Sequence, residues 1–318
     1  MARAPRSLNG QVVAITGGAR GIGRATAAAL IAQGARIAIG DIDAALAERT
    51  AKELGADTVG LPLDVTNRAS FETFLDEVES RVGPLDVLIN NAGIMPIGPF
   101  IEESDSTALR MIDINLHGVI FGSKLALTRF LGRGGRGHLV NIASAAGKAG
   151  FPGGATYCAT KHAVVGLSES IRQEVRGTDI GVSVVMPIGV NTELYSGLPE
   201  PRGFKTPEPE DVAAAIVDAL QHRRYDVYVP KRMGVMTRLQ ALMPRTIAEA
   251  VARALKGDQV LTNPDHGART AYEERMADTV ALADQAAAKR NQPKPTVDKA
   301  AAAVEQAATA KDRETETV

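Results

Sequence analysis

The chain has 318 residues, is 45% hydrophobic and carries a formal net charge of −1. That length suits one large domain with additions or two small domains, and the near-neutral charge excludes the global basic field expected of a nucleic-acid binder. The single cysteine, Cys158, cannot form an internal disulfide and fits a reducing compartment, while the five scattered histidines show no metal-ligand spacing, so no metal site is expected.

The N-terminal stretch has no apolar segment of the signal-peptide kind. No apolar run approaches the ~20 residues of a membrane-spanning helix. A cytoplasmic location is expected. The first strand is VVAIT (12–16), followed by a glycine-rich turn and a helical pattern over 24–34. Further apolar strands are read at 35–41, 58–65, 85–93, 137–144, 181–187 and 225–230. A helical pattern over 70–83 follows the third. The strands are continuously apolar rather than alternating, which indicates burial on both faces. Strands alternating with helices predict an α/β fold: a doubly wound, seven-stranded parallel sheet of the Rossmann kind.

Residues 231–256 change character. Met233, Met236, Leu239, Leu242 and Met243 recur at helical spacing, and Pro244 interrupts the pattern. After about residue 285 large apolar side chains almost vanish, so ordering the chain is not offset by burial. The expected organisation is a dinucleotide-binding and catalytic domain over 1–230, a helical extension over 231–284 that is a candidate cover for a substrate pocket, and a disordered tail over 285–318.

The turn TGGARGIG (16–23) lies between the first strand and its helix. Small residues at Gly17, Gly21 and Gly23 let the backbone approach a pyrophosphate, and the helix N-terminus presents free N–H groups to it. Arg20 and Ile22 belong to the same turn. Asp41 ends the next strand 18 positions after Gly23, close to the ~20 expected of a ribose-binding carboxylate. A carboxylate accepts hydrogen bonds from ribose hydroxyls and repels a 2′-phosphate. NAD is therefore favoured over NADP. Arg20, in the glycine turn, keeps NADP open.

These residues, with NNAG (90–93), Asn115 in MIDINLHG, Ser144 in NIASAAG and YCATK (157–161), resemble the short-chain dehydrogenase/reductase family in its single-domain form. The resemblance covers about residues 9–230. It implies a nicotinamide-dependent interconversion of an alcohol and a carbonyl. Tyr157 and Lys161 are four residues apart, on one face of a helix. An ammonium beside a phenol favours the phenolate, so Tyr157 is the expected general acid/base. Ser144 is expected at the carboxyl edge of the sheet, hydrogen-bonding the substrate oxygen. The resemblance further implies that Lys161 holds the nicotinamide ribose and that Asn115 supports a proton relay; on its residue type alone, Asn115 reads as satisfying a backbone group. It also implies adenine contacts from Asp64 and Val65, cofactor lining by Asn91, Ala92 and Gly93, and carboxamide contacts from Val190 and Thr192. Two departures stand out. Ile188 follows Pro187 where the family commonly has glycine, and Thr160 precedes the lysine where serine is usual.

The Gly- and Pro-rich segment 195–209 is a candidate lid. The segment after the last strand is more like that of relatives acting on steroids, retinoids and other lipophilic alcohols. Its Met/Leu stripe is read first as core packing. Basic residues around it (Lys231, Arg232, Arg238, Arg245) leave peripheral membrane contact open. The resemblance implies a homodimer or homotetramer. A non-catalytic NAD(P)-sensing scaffold is the alternative to an enzyme, and it has no need of Asn115, Ser144, Tyr157 and Lys161 together.

Overall fold

The computed structural model describes residues 5–55, 57–200, 205–254 and 259–290. One compact unit runs to Met276 and a second begins at Ala277. Seven strands form a single parallel sheet: β1 (Val12–Thr16), β2 (Arg36–Asp41), β3 (Val59–Pro62), β4 (Val87–Asn90), β5 (Arg136–Ile142), β6 (Asp179–Pro187) and β7 (Asp226–Val229), in the order β3-β2-β1-β4-β5-β6-β7. The chain winds one way from β1 to β3 and the other way from β4 to β7. The β1/β4 boundary is thus the topological switch point, where ligands bind in this architecture.

The unbroken apolar character of the strands has a simple cause. Successive side chains point to opposite faces, and both faces are covered. Ala14, Leu88 and Leu139 join one core with Phe71, Phe74 and Phe130, whereas Val13, Ile15, Ile89 and Val140 join the other with Leu30 and Ile216. The first core is covered by α3 (Arg68–Arg81), α4 (Asp105–Ile112), α5 (Gly118–Gly132) and α6 (Ala155–Glu174), the second by α1 (Gly21–Ile31) and α7 (Pro209–His222). α2 (Ala44–Leu54) packs on β2 and β3. Local chemistry sets the helix starts. Asp43 accepts from the Leu46 amide at the start of α2, and Asn67 from the Ala69 and Ser70 amides at the start of α3. α7 begins with a capping box between Glu208 and Asp211, with Pro209 in its first turn.

The extension forms α8 (Arg232–Leu242), α9 (Arg245–Ala254) and α10 (His266–Arg290). Pro244 separates α8 from α9, as its missing N–H requires. The core-packing expectation for the Met/Leu stripe fails: Leu239, Leu242 and Met243 are exposed. Helical periodicity marks an apolar face but not the direction it points. The boundary expected at 285 falls inside α10; residues 291–318 lie outside the described residues. No described helix is long and apolar enough to cross a membrane.

His138 is buried in β5, and its Nε2 lies 2.8 Å from Ser183 Oγ, which donates to the Arg224 carbonyl at 2.6 Å. That pattern makes Nε2 the donor. Burial, aided by the charges of Arg6 and Arg223, holds its pKa down at about 3 against an ordinary 6.5. With a depressed folded-state pKa, its contribution to stability is whole above about 6.5 and is lost as the pH falls toward 3. Urea denaturation of wild type and His138→Gln at pH 7 and pH 5 checks this. Wild type should lose stability faster between the two, by on the order of 1 kcal/mol per pH unit.

Candidate active site

β1 ends at Thr16, and the chain turns through Gly17 to Arg20 into α1. Gly17 has φ 61°, and a Cβ there would stand 2.9 Å from Ala92 Cα. A Cβ on Gly23 would stand 2.3 Å from the Gly17 carbonyl oxygen. The turn therefore tolerates no side chain at either position, and α1 starts with no side-chain cap on its free N–H groups. Gly21 faces the Thr192 side chain, and Ile22 packs partly buried against the second core.

Asn91 fixes this turn from the other side of the switch point. Its Nδ2 donates to the carbonyls of Thr16 and Gly17, both at 2.9 Å. Thr16 Oγ1 in turn accepts from the Asn91 and Ala92 amides. Asp41 ends β2 nearly buried. Its carboxylate accepts from the Ala19 amide at 3.3 Å and the Asp43 amide at 3.2 Å, and burial raises its pKa against those bonds. Arg20 does not clamp Asp41; its guanidinium lies 3.3 Å from Glu193 and 3.7 Å from Asp43. Asp64 turns its carboxylate to the amide and hydroxyl of Thr66, while Val65 is buried with Gly118 against it. A backbone cradle that a Cβ would fill, an uncapped helix start and a strand-end carboxylate together fit a dinucleotide.

The chemistry-bearing side chains meet at the carboxyl ends of β4 and β5. Lys161 is buried, and its Nζ donates to the Ile142 carbonyl at 3.0 Å while lying 5.7 Å from the centre of the Tyr157 ring. Burial pushes its pKa down to about 8. Ser144 follows β5; its Oγ accepts from the Ala146 amide at 3.1 Å, donates to the Pro187 carbonyl at 3.4 Å and stands near enough to the Tyr157 phenol to influence it. Burial is the largest influence on Tyr157 and raises its pKa, with Ser144 working the other way. The lowering expected from the lysine is not among the influences on Tyr157 in the protein alone; taking the phenolate out of water dominates instead.

Asn115 sits in a π-turn, Asp113–His117, between α4 and α5. Its Oδ1 accepts from the Ile94 amide at 2.8 Å, and its Nδ2 donates to the Ile94 carbonyl at 2.9 Å and to Thr160 Oγ1 at 3.3 Å. Thr160 thus links that brace to α6, having donated its own proton to the Tyr157 carbonyl. Gly93 brings backbone close to both groups, since a Cβ there would lie 3.2 Å from Asn115 Oδ1 and 3.6 Å from Lys161 Nζ. After β6, neither Ile188 nor Gly189 has a positive φ, so the turn needs no glycine at 188. Gly189 is needed instead for close approach, because the Tyr195 ring lies against it. Val190 is buried and Thr192 Oγ1 donates to its carbonyl at 3.2 Å.

Arg269 and Tyr272 of α10 were not singled out from the sequence. Arg269 is fully buried; it donates to the carbonyls of Leu194 (3.1 Å), Ser196 (3.2 Å) and Met95 (2.8 Å) and stacks on Tyr272. Tyr272 Oη accepts from the Met95 amide at 2.7 Å. Both backbone groups of Met95 are therefore held by α10. Leu261 is buried against Gly153 and Gly154, just ahead of Tyr157. No local signal marks these residues, because an arginine among polar helix neighbours reads as exposed. Of the candidate lid at 195–209, residues 201–204 lie outside the described residues. Cys158 is a buried thiol whose pKa burial raises; its Sγ accepts from the Phe151 amide at 3.4 Å. That is a packing role.

Residues 11–202 match the family model described as short chain dehydrogenase. The chain belongs to the short-chain dehydrogenase family. It is similar to a sorbitol dehydrogenase of Cereibacter sphaeroides, 38% identical over 60% of this chain and 75% of that protein. It also resembles 17-beta-hydroxysteroid dehydrogenase 13 of Rattus norvegicus, 30% identical over 78% of this chain and 84% of the relative. Among solved structures, a short-chain dehydrogenase/reductase of Burkholderia phymatum in complex with NAD superposes with a TM-score of 0.68 at 28% identity, covering 74% of this chain and 94% of that one. The chain is accordingly an oxidoreductase acting on CH–OH groups with a nicotinamide cofactor.

Replacing Arg269 with Met leaves three carbonyls without their donor. The expected cost is about 3 kcal/mol in urea denaturation, with Arg269→Lys recovering part of it.

Proposed function

We propose that the enzyme interconverts a hydrophobic secondary alcohol and its ketone using NAD(H), with Tyr157 as general acid/base. The observation that carries this reading is the convergence of Ser144, Tyr157 and Lys161 on one buried point at the carboxyl edge of the sheet. A nicotinamide held there by Lys161, Val190 and Thr192 would supply or accept the hydride. In alcohol oxidation Tyr157 Oη takes the hydroxyl proton, and in ketone reduction it returns one. Ser144 Oγ holds the substrate oxygen and steadies the charge that develops on it. The Lys161 ammonium and the positive charge of an oxidised cofactor both favour the phenolate that burial disfavours. The Asn115 amide is engaged at both its atoms by Ile94, so its side chain acts as a brace, and a proton relay at this position would need a water.

The surroundings support a hydrophobic substrate class. Tyr157 belongs to a cluster that includes Ile94, Met95 and Leu261, with Phe151, Leu194 and Leu198 packed against it. A polar substrate would leave its hydroxyls unpaired there. Steroids, retinoids and lipid-like alcohols are the classes to screen. NAD is preferred because the Asp41 carboxylate occupies the ribose end of the cleft, and because Arg20 is turned to Glu193 and Asp43. The chemistry leaves no observation that favours a non-catalytic scaffold.

Tyr157→Phe removes the exchangeable proton and keeps the ring, so turnover should fall by about 10³-fold while NAD affinity, measured by calorimetry, stays close to wild type. Persistent activity would refute the assignment. Asp41→Ser removes a like-charge contact worth on the order of 1–4 kcal/mol; kcat/KM with NADP should rise by about tenfold or more. An unchanged NAD-to-NADP ratio would contradict the role given to Asp41.

A further inference from the structure

α8 is amphipathic in the unusual sense. Its inner side rests on β7: Gly234 is buried, and a Cβ there would lie 2.7 Å from the Tyr228 ring. Met233 and Thr237 on that side are half-buried. The opposite side carries Val235, Leu239 and Leu242, at i, i+4 and i+7, with exposures of 60%, 51% and 83%. On a helix that faces only water, polar residues belong there. α9 repeats the pattern. Ile247 and Val251 share one exposed face, while Arg245, Glu249 and Arg253 share another, with Arg245 Nε paired to Glu249 at 3.0 Å.

Charge says what covers this surface. Residues 231–254 contain five basic side chains (Lys231, Arg232, Arg238, Arg245, Arg253) against one acidic, in a chain whose net charge is −1. A two-fold pairing with a second copy would bring this basic set against itself, which is unfavourable. An anionic lipid surface complements both features, because apolar side chains enter the headgroup boundary while long basic side chains reach lipid phosphates.

We propose that α8 and α9 dock the enzyme on an anionic bilayer surface, inserting Leu239, Leu242 and Ile247. The inference is independent of the substrate class. Co-sedimentation of the full chain with phosphatidylcholine vesicles, with and without an equimolar share of phosphatidylserine, tests it. Wild type should sediment with the anionic vesicles only, and less at high salt. Leu239→Asp/Leu242→Asp should bind at least about tenfold more weakly, and Arg238→Glu/Arg253→Glu likewise. Because all four positions are exposed, unchanged thermal midpoints should show that the variants remain folded. Should one pair fail to fold, the other still decides. No sedimentation of wild type, or equal binding by the folded variants, overturns the proposal. So does a wild-type dimer that the Leu239→Asp/Leu242→Asp variant splits without any vesicle binding, since the face would then be a self-contact.

Discussion

The buried ammonium of Lys161 is the constraint around which the site is arranged. A lysine that far from water is destabilising by itself, and burial already draws its pKa down to about 8. It is held in place by the Ile142 carbonyl at the end of β5. That bond ties α6 to the sheet edge. Once α6 is fixed, Tyr157 stands one turn earlier on the same face, beside Ser144 at the end of β5. The Asn115–Thr160 link ties the same helix to the loop after β4. The geometry of the candidate site thus goes together with satisfying buried polar groups.

The cofactor side obeys a parallel logic. The chain leaves the paired strands β1 and β4 in opposite directions, and the exposed backbone ends there need partners. Asn91 and Thr16 supply them to each other and to Gly17. The glycine turn is therefore held open by hydrogen bonds rather than by side-chain bulk, and the carboxylate of Asp41 accepts from the Ala19 amide within it.

Much of this was legible in the sequence, and the reasons are local. Seven apolar runs announced strands covered on both faces, because each run had to feed two cores. Tyr157 and Lys161 announced a shared helix face by spacing alone. What stayed hidden involves distance or direction. Arg269 meets Met95 across 174 positions, and nothing near either residue encodes the other. The stripe from Met233 to Met243 showed its period but faced water rather than the core at Leu239, Leu242 and Met243. The direction of the Tyr157 shift was hidden too, since the desolvation of a phenol depends on everything folded over it, including α10.

The central claim is that burial raises the Tyr157 pKa in the protein alone and that positive charge at the nicotinamide position would lower it. Ultraviolet titration of the phenolate tests this directly, using the difference between wild type and Tyr157→Phe in the protein alone, with NAD⁺ and with NADH. The account predicts that the Tyr157 midpoint falls when NAD⁺ binds, and falls less with NADH. An identical midpoint in all three states would contradict it.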